Sequence, residues 1–148
     1  MGFQDALAKQ APGGTFRYTF DTITVNCDEP PVLICRFAGD NNPAYKSAVI
    51  KFANERRAKG GKLTARKLRD DDELDAKLFA TTVVTGWENL HEEASAPCAQ
   101  CTPEKVEEFL LGLIEARRDL WLGFTRAVRD PENFRDAEHI SGVELGKK

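Results

Sequence analysis

The sequence predicts an α+β fold, predominantly α, in which an N-terminal β-hairpin precedes a bundle of about four helices. Three observations carry this. The stretch TFRYTFDTITVNC (residues 15–27) alternates apolar and polar side chains with a period of two, the signature of a strand. From Val106 onward apolar residues recur at i, i+3, i+4, i+7 and i+8, as on one helix face. The 148 residues suffice for a buried core without metal or disulfide staples.

Each element follows from local chemistry. Residues 1–14 end in APGG and are expected to form a mobile arm. Phe16, Tyr18 and Phe20 share one parity, and Ile23, Val25 and Cys27 the other. The change at Asp21–Thr22 implies a bulge or break, because a one-residue slip turns every later side chain to the opposite face. DEPP is turn chemistry and VLICRFA resumes an apolar strand. A hairpin folded about Pro31 sets Cys27 across from Cys35.

Asn42 then caps a helix with Pro43 at its first position, and Tyr45, Val49, Ile50, Phe52 and Ala53 mark its apolar side. Gly60–Gly61 ends it, and a charged linker is expected near residues 59–70. The acidic run Asp70–Glu73 suits the start of the next helix, whose stripe of Leu74, Leu78, Val83, Val84, Trp87 and Leu90 extends through TTVVTG. That run has weak helix propensity; packing of Trp87 is expected to hold it helical, with a strand as the competing reading. Thr102 caps the next helix, Pro103 opens it, and Val106, Phe109, Leu110, Leu113 and Ile114 form its stripe. A last helix carries Leu120, Trp121, Phe124 and Val128 and stops at Asp130–Pro131, with Phe134 packing back. These segments make residues 15–134 a single domain; residues 135–148 offer little to bury and are expected to be loose.

Composition narrows the chemistry. Twenty-four acidic and 21 basic residues give a net charge of -3, so no global field favours nucleic acid or an anionic membrane. There is no apolar run of bilayer length and no basic-then-apolar leader, which points to a cytosolic protein. Ala6 stands where a myristoylation signal needs Ser or Thr. The one strong local field is the set of seven Lys and Arg between Arg56 and Arg69, answered at once by four acids. It reads better as a self-attracting linker than as a phosphate-binding arm, since no aromatic interleaves the bases to stack a nucleotide. An accessory nucleic-acid-binding role for residues 56–69 is therefore a lesser alternative.

Catalytic motifs are missing: there is no phosphate-cradling glycine loop and no nucleophile elbow. His91, beside Glu92 and Glu93, and His139 both read as solvated surface groups. A non-enzymatic protein with no cofactor is the expectation. Cys98 and Cys101 have the spacing of a zinc knuckle, but Cys27 and Cys35 are separated by seven residues and do not make the second one. The expectation is no metal site. A zinc-stabilised interaction module using Cys98 and Cys101 with Cys27 and Cys35 is the less favoured alternative. Redox use of Cys98 ranks lower again, because that thiol falls several residues short of the helix N-terminus that would acidify it.

Residues 79–134 resemble the tail assembly chaperones of long-tailed bacteriophages. The resemblance rests on Val84 and Trp87, Glu92 and Glu93 in a polar loop, and Pro103 and Glu104 at a helix start. It continues through Phe109, Leu110, Leu120 and Phe124 to the closing Asp130, Asn133 and Phe134. The chain departs from the family pattern in HEEASAPCAQC, where the family has Asp-Gly and then an apolar residue; here Cys101 can instead staple the Thr102 cap against Val106. The resemblance implies a non-catalytic protein of the host bacterial cytoplasm, absent from the mature virion. It implies binding to the long helical tape-measure protein, protection of that partner's apolar surface and recruitment of tail tube protein. Many copies on one partner allow modest single-site affinity, and self-association is left open. It further implies a longer frameshifted product, with which the ending ELGKK is compatible.

Overall fold

The computed structural model describes residues 2–4, 14–39, 41–59 and 65–134, with the side chains of 55–59 and 65–70 excepted. In chain order the elements are strand β1 (Thr15–Thr19), strand β2 (Val32–Arg36), helix α1 (Pro43–Lys59), helix α2 (Ala65–Thr82), strand β3 (Val84–Glu88), helix α3 (Pro103–Ala116), helix α4 (Arg118–Val128) and a closing 3-10 turn (Pro131–Phe134). The strands form one antiparallel sheet in the order β1-β2-β3, so the chain returns to the sheet after two helices. The expected α+β fold with four helices is the one observed. Most of the residues expected in the N-terminal arm, the Gly60–Gly61 break and the C-terminal tail with His139 lie outside the described residues.

Three expectations are corrected. TTVVTG does not prolong α2; the helix ends at Thr82 and Val84–Glu88 forms β3. The reason is the run of β-branched Val83, Val84 and Thr85, which are stiff at χ1 and suit a pleated surface, followed by a glycine. The free edge of β2 supplies the partner: Leu33 faces Trp87 and Val32 faces Glu88. An extra residue, Thr85, bulges between Ile34 and Cys35 and donates its hydroxyl to the Ile34 carbonyl.

The hairpin register is the second correction. Phe16 pairs with Cys35 and Tyr18 with Leu33, and the ladder closes with the Phe20 amide donating to the Pro31 carbonyl at 2.9 Å. Cys27 therefore does not face Cys35. This register puts Phe16, Tyr18 and Phe20 toward the helices, and burial of those rings outweighs continuing the strand beyond the turn at Asp21–Thr22, where the sequence places its break. Ile23, Val25 and Cys27 then run as irregular backbone with one bridge, Val25 to Leu90. The linker also shrinks: residues 65–70 are helical, placing Asp70–Glu73 inside α2 instead of at its start.

One aromatic cluster joins the two layers. Phe124 of α4 lies 5.5 Å from the Tyr18 ring and 6.1 Å from Phe79 of α2, which in turn lies 5.8 Å from Trp121. Phe134 closes it, 5.6 Å from both Phe16 and Phe37. Phe79, Trp121, Phe124 and Phe134 are buried. At the rim, Asp72 and Asp75 of α2 pair with Arg118 and Arg129 flanking α4, and the Arg129 guanidinium also sits 5.3 Å above the Phe79 ring. Among the described residues no helix is long and apolar enough to cross a membrane.

Candidate partner-binding groove

Three stretches of chain converge beside α3 and leave an open groove of about 460 Å³. One wall is α3 itself, presenting Lys105, Glu108, Phe109, Gly112 and Leu113. Thr102 fixes where that helix begins, its side-chain oxygen accepting the Lys105 amide at 3.2 Å while Pro103 occupies the first turn, as the sequence predicts. The floor and far wall come from Trp87, Leu90 and His91 at and beyond the end of β3, together with Val25 and Ala99.

The irregular wall is held by polar ties. Asn26 takes the left-handed conformation, φ 61°, which asparagine tolerates. Its amide nitrogen donates to the carbonyls of His91 at 2.7 Å and Glu92 at 3.0 Å. The second left-handed residue, Asn89 with φ 63°, donates to the Pro30 carbonyl. Trp87 Nε1 donates to the Ala99 carbonyl at 2.7 Å, and the Ala99 amide donates to the Leu90 carbonyl at 2.7 Å. A Trp ring tied at its nitrogen offers an apolar face in a fixed orientation. His91 is half-buried, its Nδ1 2.8 Å from the Ala96 carbonyl, so it is a wall residue and not the solvated helix-end group expected.

The rim is charged. Glu92 and Lys105 form an ion pair across the mouth, and Glu108 stands beside them with no ion pair among the described residues. A smaller hollow of about 220 Å³ lies between α1 and α2, lined by Tyr45, Val49, Phe52 and Leu74 among others.

The cysteines differ in burial and do not converge on one point. Cys35 is fully buried in the sheet, and burial pushes its thiol up to about 12. Cys27 donates from Sγ toward the carbonyls of Glu29 and Asn89. Cys98 is exposed and bridges His91 through backbone; Cys101 packs partly against the core, and its thiol is raised by burial. Among the described residues no group of three or more His, Cys, Asp or Glu could hold a metal ion, so the four cysteines do not assemble as a ligand set there. The side chains of the basic stretch 56–69 lie outside the described residues.

The positions that carry the resemblance are spread over the groove, the core and the closing turn, among other places. Trp87, Glu92 and Phe109 line the groove. Val84, Leu110, Phe124 and Phe134 are buried in the core, while Asp130 accepts the Glu132 amide and Asn133 donates to the Ala127 carbonyl in the closing turn. Asn26, Ala99 and Gly112 escaped sequence reasoning; the asparagine's tolerance of positive φ was the one local signal available. No family model, no curated protein and no solved structure matches the chain.

Proposed function

We propose that this protein is a non-catalytic tail assembly chaperone that binds the tape-measure protein of a long-tailed phage and keeps it soluble while tail tube subunits assemble. The observation that supports the reading is the groove. Val25, Trp87, Leu90, Phe109 and Leu113 offer an apolar trough between charged lips. An apolar stripe of a helical partner seated there is removed from water until polymerisation replaces the contact. The ordered residues from Val84 to Phe134 support the particular partner. Action in the host cytoplasm and absence from the finished virion belong to the same proposal.

The test is co-expression with the tape-measure reading frame of the same genome. The expected result is a soluble complex that co-elutes in size-exclusion chromatography, and insoluble tape-measure protein when this chain is omitted. Equal solubility with and without it, and no co-elution, sink the reading.

A further inference from the structure

We infer that the occupant of the groove is a partner's amphipathic helix with basic residues flanking its apolar face, and that Gly112 is the point at which it approaches α3 most closely. This rests on reading the groove as a partner-binding surface.

The first observation is a glycine without an internal reason. Glycine inside a helix is destabilising relative to alanine. At Gly123 of α4 the structure supplies a reason, since an added Cβ would stand 3.2 Å from the Tyr18 hydroxyl. At Gly112 of α3 an added Cβ would meet nothing within 4 Å, yet the residue lines the groove between Phe109 and Leu113. The bare backbone there serves nothing inside the chain. It lets a second helix lie close, because interaxial distance depends on side-chain size at the contact.

The second observation is the sign of the rim. Among the described lining residues Glu92 and Glu108 stand against a single Lys or Arg, Lys105, which is already paired with Glu92. Glu104 lies one turn before Glu108 on the same helix and is exposed, adding a second carboxylate on the α3 side. An acidic or neutral helix would leave Glu108 unanswered; Lys or Arg flanking an apolar stripe answers it.

The test uses two synthetic amphipathic peptides, each about 20 residues long, with the same Leu/Ala face and either Lys or Glu flanks, titrated against the full chain by fluorescence anisotropy. The Lys peptide is expected to bind roughly tenfold tighter at low salt, with the advantage shrinking as salt rises. Glu108→Lys should reduce that preference. Gly112→Ala should raise the free protein's thermal midpoint by about 2–4 °C while weakening the peptide, and Gly112→Leu should weaken it further. These opposite signs cannot come from a merely structural role. Equal binding of both peptides, no binding of either, or full binding by Gly112→Leu overturns the inference, as does self-association that Gly112→Leu abolishes, which would make a second copy the occupant. A tape-measure complex indifferent to Gly112→Leu and Glu108→Lys leaves the proposed function standing and removes this one; peptide binding without any tape-measure complex does the reverse.

Discussion

Arg17 of β1 and Glu88 of β3 clasp each other across the central strand, Nη1 donating to Oε2 at 2.7 Å and Nη2 to Oε1 at 2.8 Å. Ile34 of β2, directly opposite Arg17, lies between them. The pair ties the two outer strands on the exposed face of the sheet, and the fork geometry of arginine is what allows two parallel bonds to one carboxylate.

The arginine holds the Glu88 carboxyl below its ordinary value of 4.5, chiefly by hydrogen bonding. A folded-state value below the unfolded one means stability that is present above the unfolded value and lost as pH falls through the folded one. Glu88→Gln is therefore expected to flatten the acid limb of a stability-versus-pH curve below about pH 4.5 and to change little at neutral pH, where an exposed pair contributes weakly. Urea melts from pH 2.5 to 7 check this; an unchanged acid limb would refute the assignment.

Asn42 performs three tasks while almost fully buried. Its side-chain oxygen accepts the Tyr45 amide at 3.2 Å, capping α1, and its amide nitrogen donates to the carbonyls of Phe37 and Thr82. It thereby links the end of β2, the start of α1 and the end of α2. Asn42→Ala should cost about 2–4 kcal/mol, a lost cap plus buried carbonyls left without donors. Asn42→Asp retains the cap acceptor yet turns carboxylate toward two carbonyls, so it should rescue little. Chemical denaturation of both variants decides: recovery by Asp to near wild-type stability would show the cap alone matters.

The contrast between Asn42 and Trp87 shows what the chain discloses locally. Asn42–Pro43, Thr102–Pro103 and Asp130–Pro131 mark helix ends by chemistry confined to a few residues, and the structure agrees at each. Trp87 fits a helical stripe equally well, and only the free edge of β2, supplied by residues more than fifty positions away, makes it a strand residue. The groove is hidden for the same reason. Val25, Ala99 and Gly112 meet through the bridge at Leu90 and the hydrogen bond at Trp87 Nε1, neither of which has a local signature. Trp87, Glu92 and Phe109 line the same groove, and nothing in their order along the chain discloses that contact.

Phe134 tests whether the closing turn belongs to the core. It is buried between Phe16 and Phe37, and the Gly14 amide donates to its carbonyl at 3.1 Å. Phe134→Ala should cost about 3–5 kcal/mol and loosen β1 along with the turn, whereas truncation after Phe134 should leave the thermal midpoint nearly unchanged. Calorimetry on both variants separates the two; a large drop on truncation would place core contacts in residues 135–148.

Cys98 and Cys101 lead into α3, the first exposed and the second packed partly against the core. Cys98→Ser with Cys101→Ser is expected to shift the thermal midpoint only by a few degrees, nearly all of it from Cys101, which packs against the core. Chelator should leave the wild-type midpoint where it is. Unfolding on chelation, with stoichiometric zinc in the untreated protein, would contradict the lack of a ligand group among the described residues.

Cys35 contributes to the loss of stability at alkaline pH. Its thiol is opposite Phe16 in the sheet, and burial raises it from 9 to about 12, with the Cys101 thiol adding to the shift. In the unfolded chain the thiol ionises near its ordinary value, so between those two values the unfolded state has lost a proton that the folded state keeps. Stability from this group is full below pH 9 and declines as pH rises toward 12, by up to about 1.4 kcal/mol per pH unit. Tyr18, raised by its own burial, adds to the fall at the upper end. Cys35→Ala should be less stable at neutral pH, through the lost packing, but should show a shallower decline above pH 9. Thiol labelling gives the matching kinetic signature: Cys98 reacts in the native state, whereas Cys35 reacts only as fast as the protein opens. Native-state labelling of Cys35 at the rate of Cys98 would mean that the β1–β2 ladder opens locally, and the alkaline decline would then be no steeper in wild type than in Cys35→Ala.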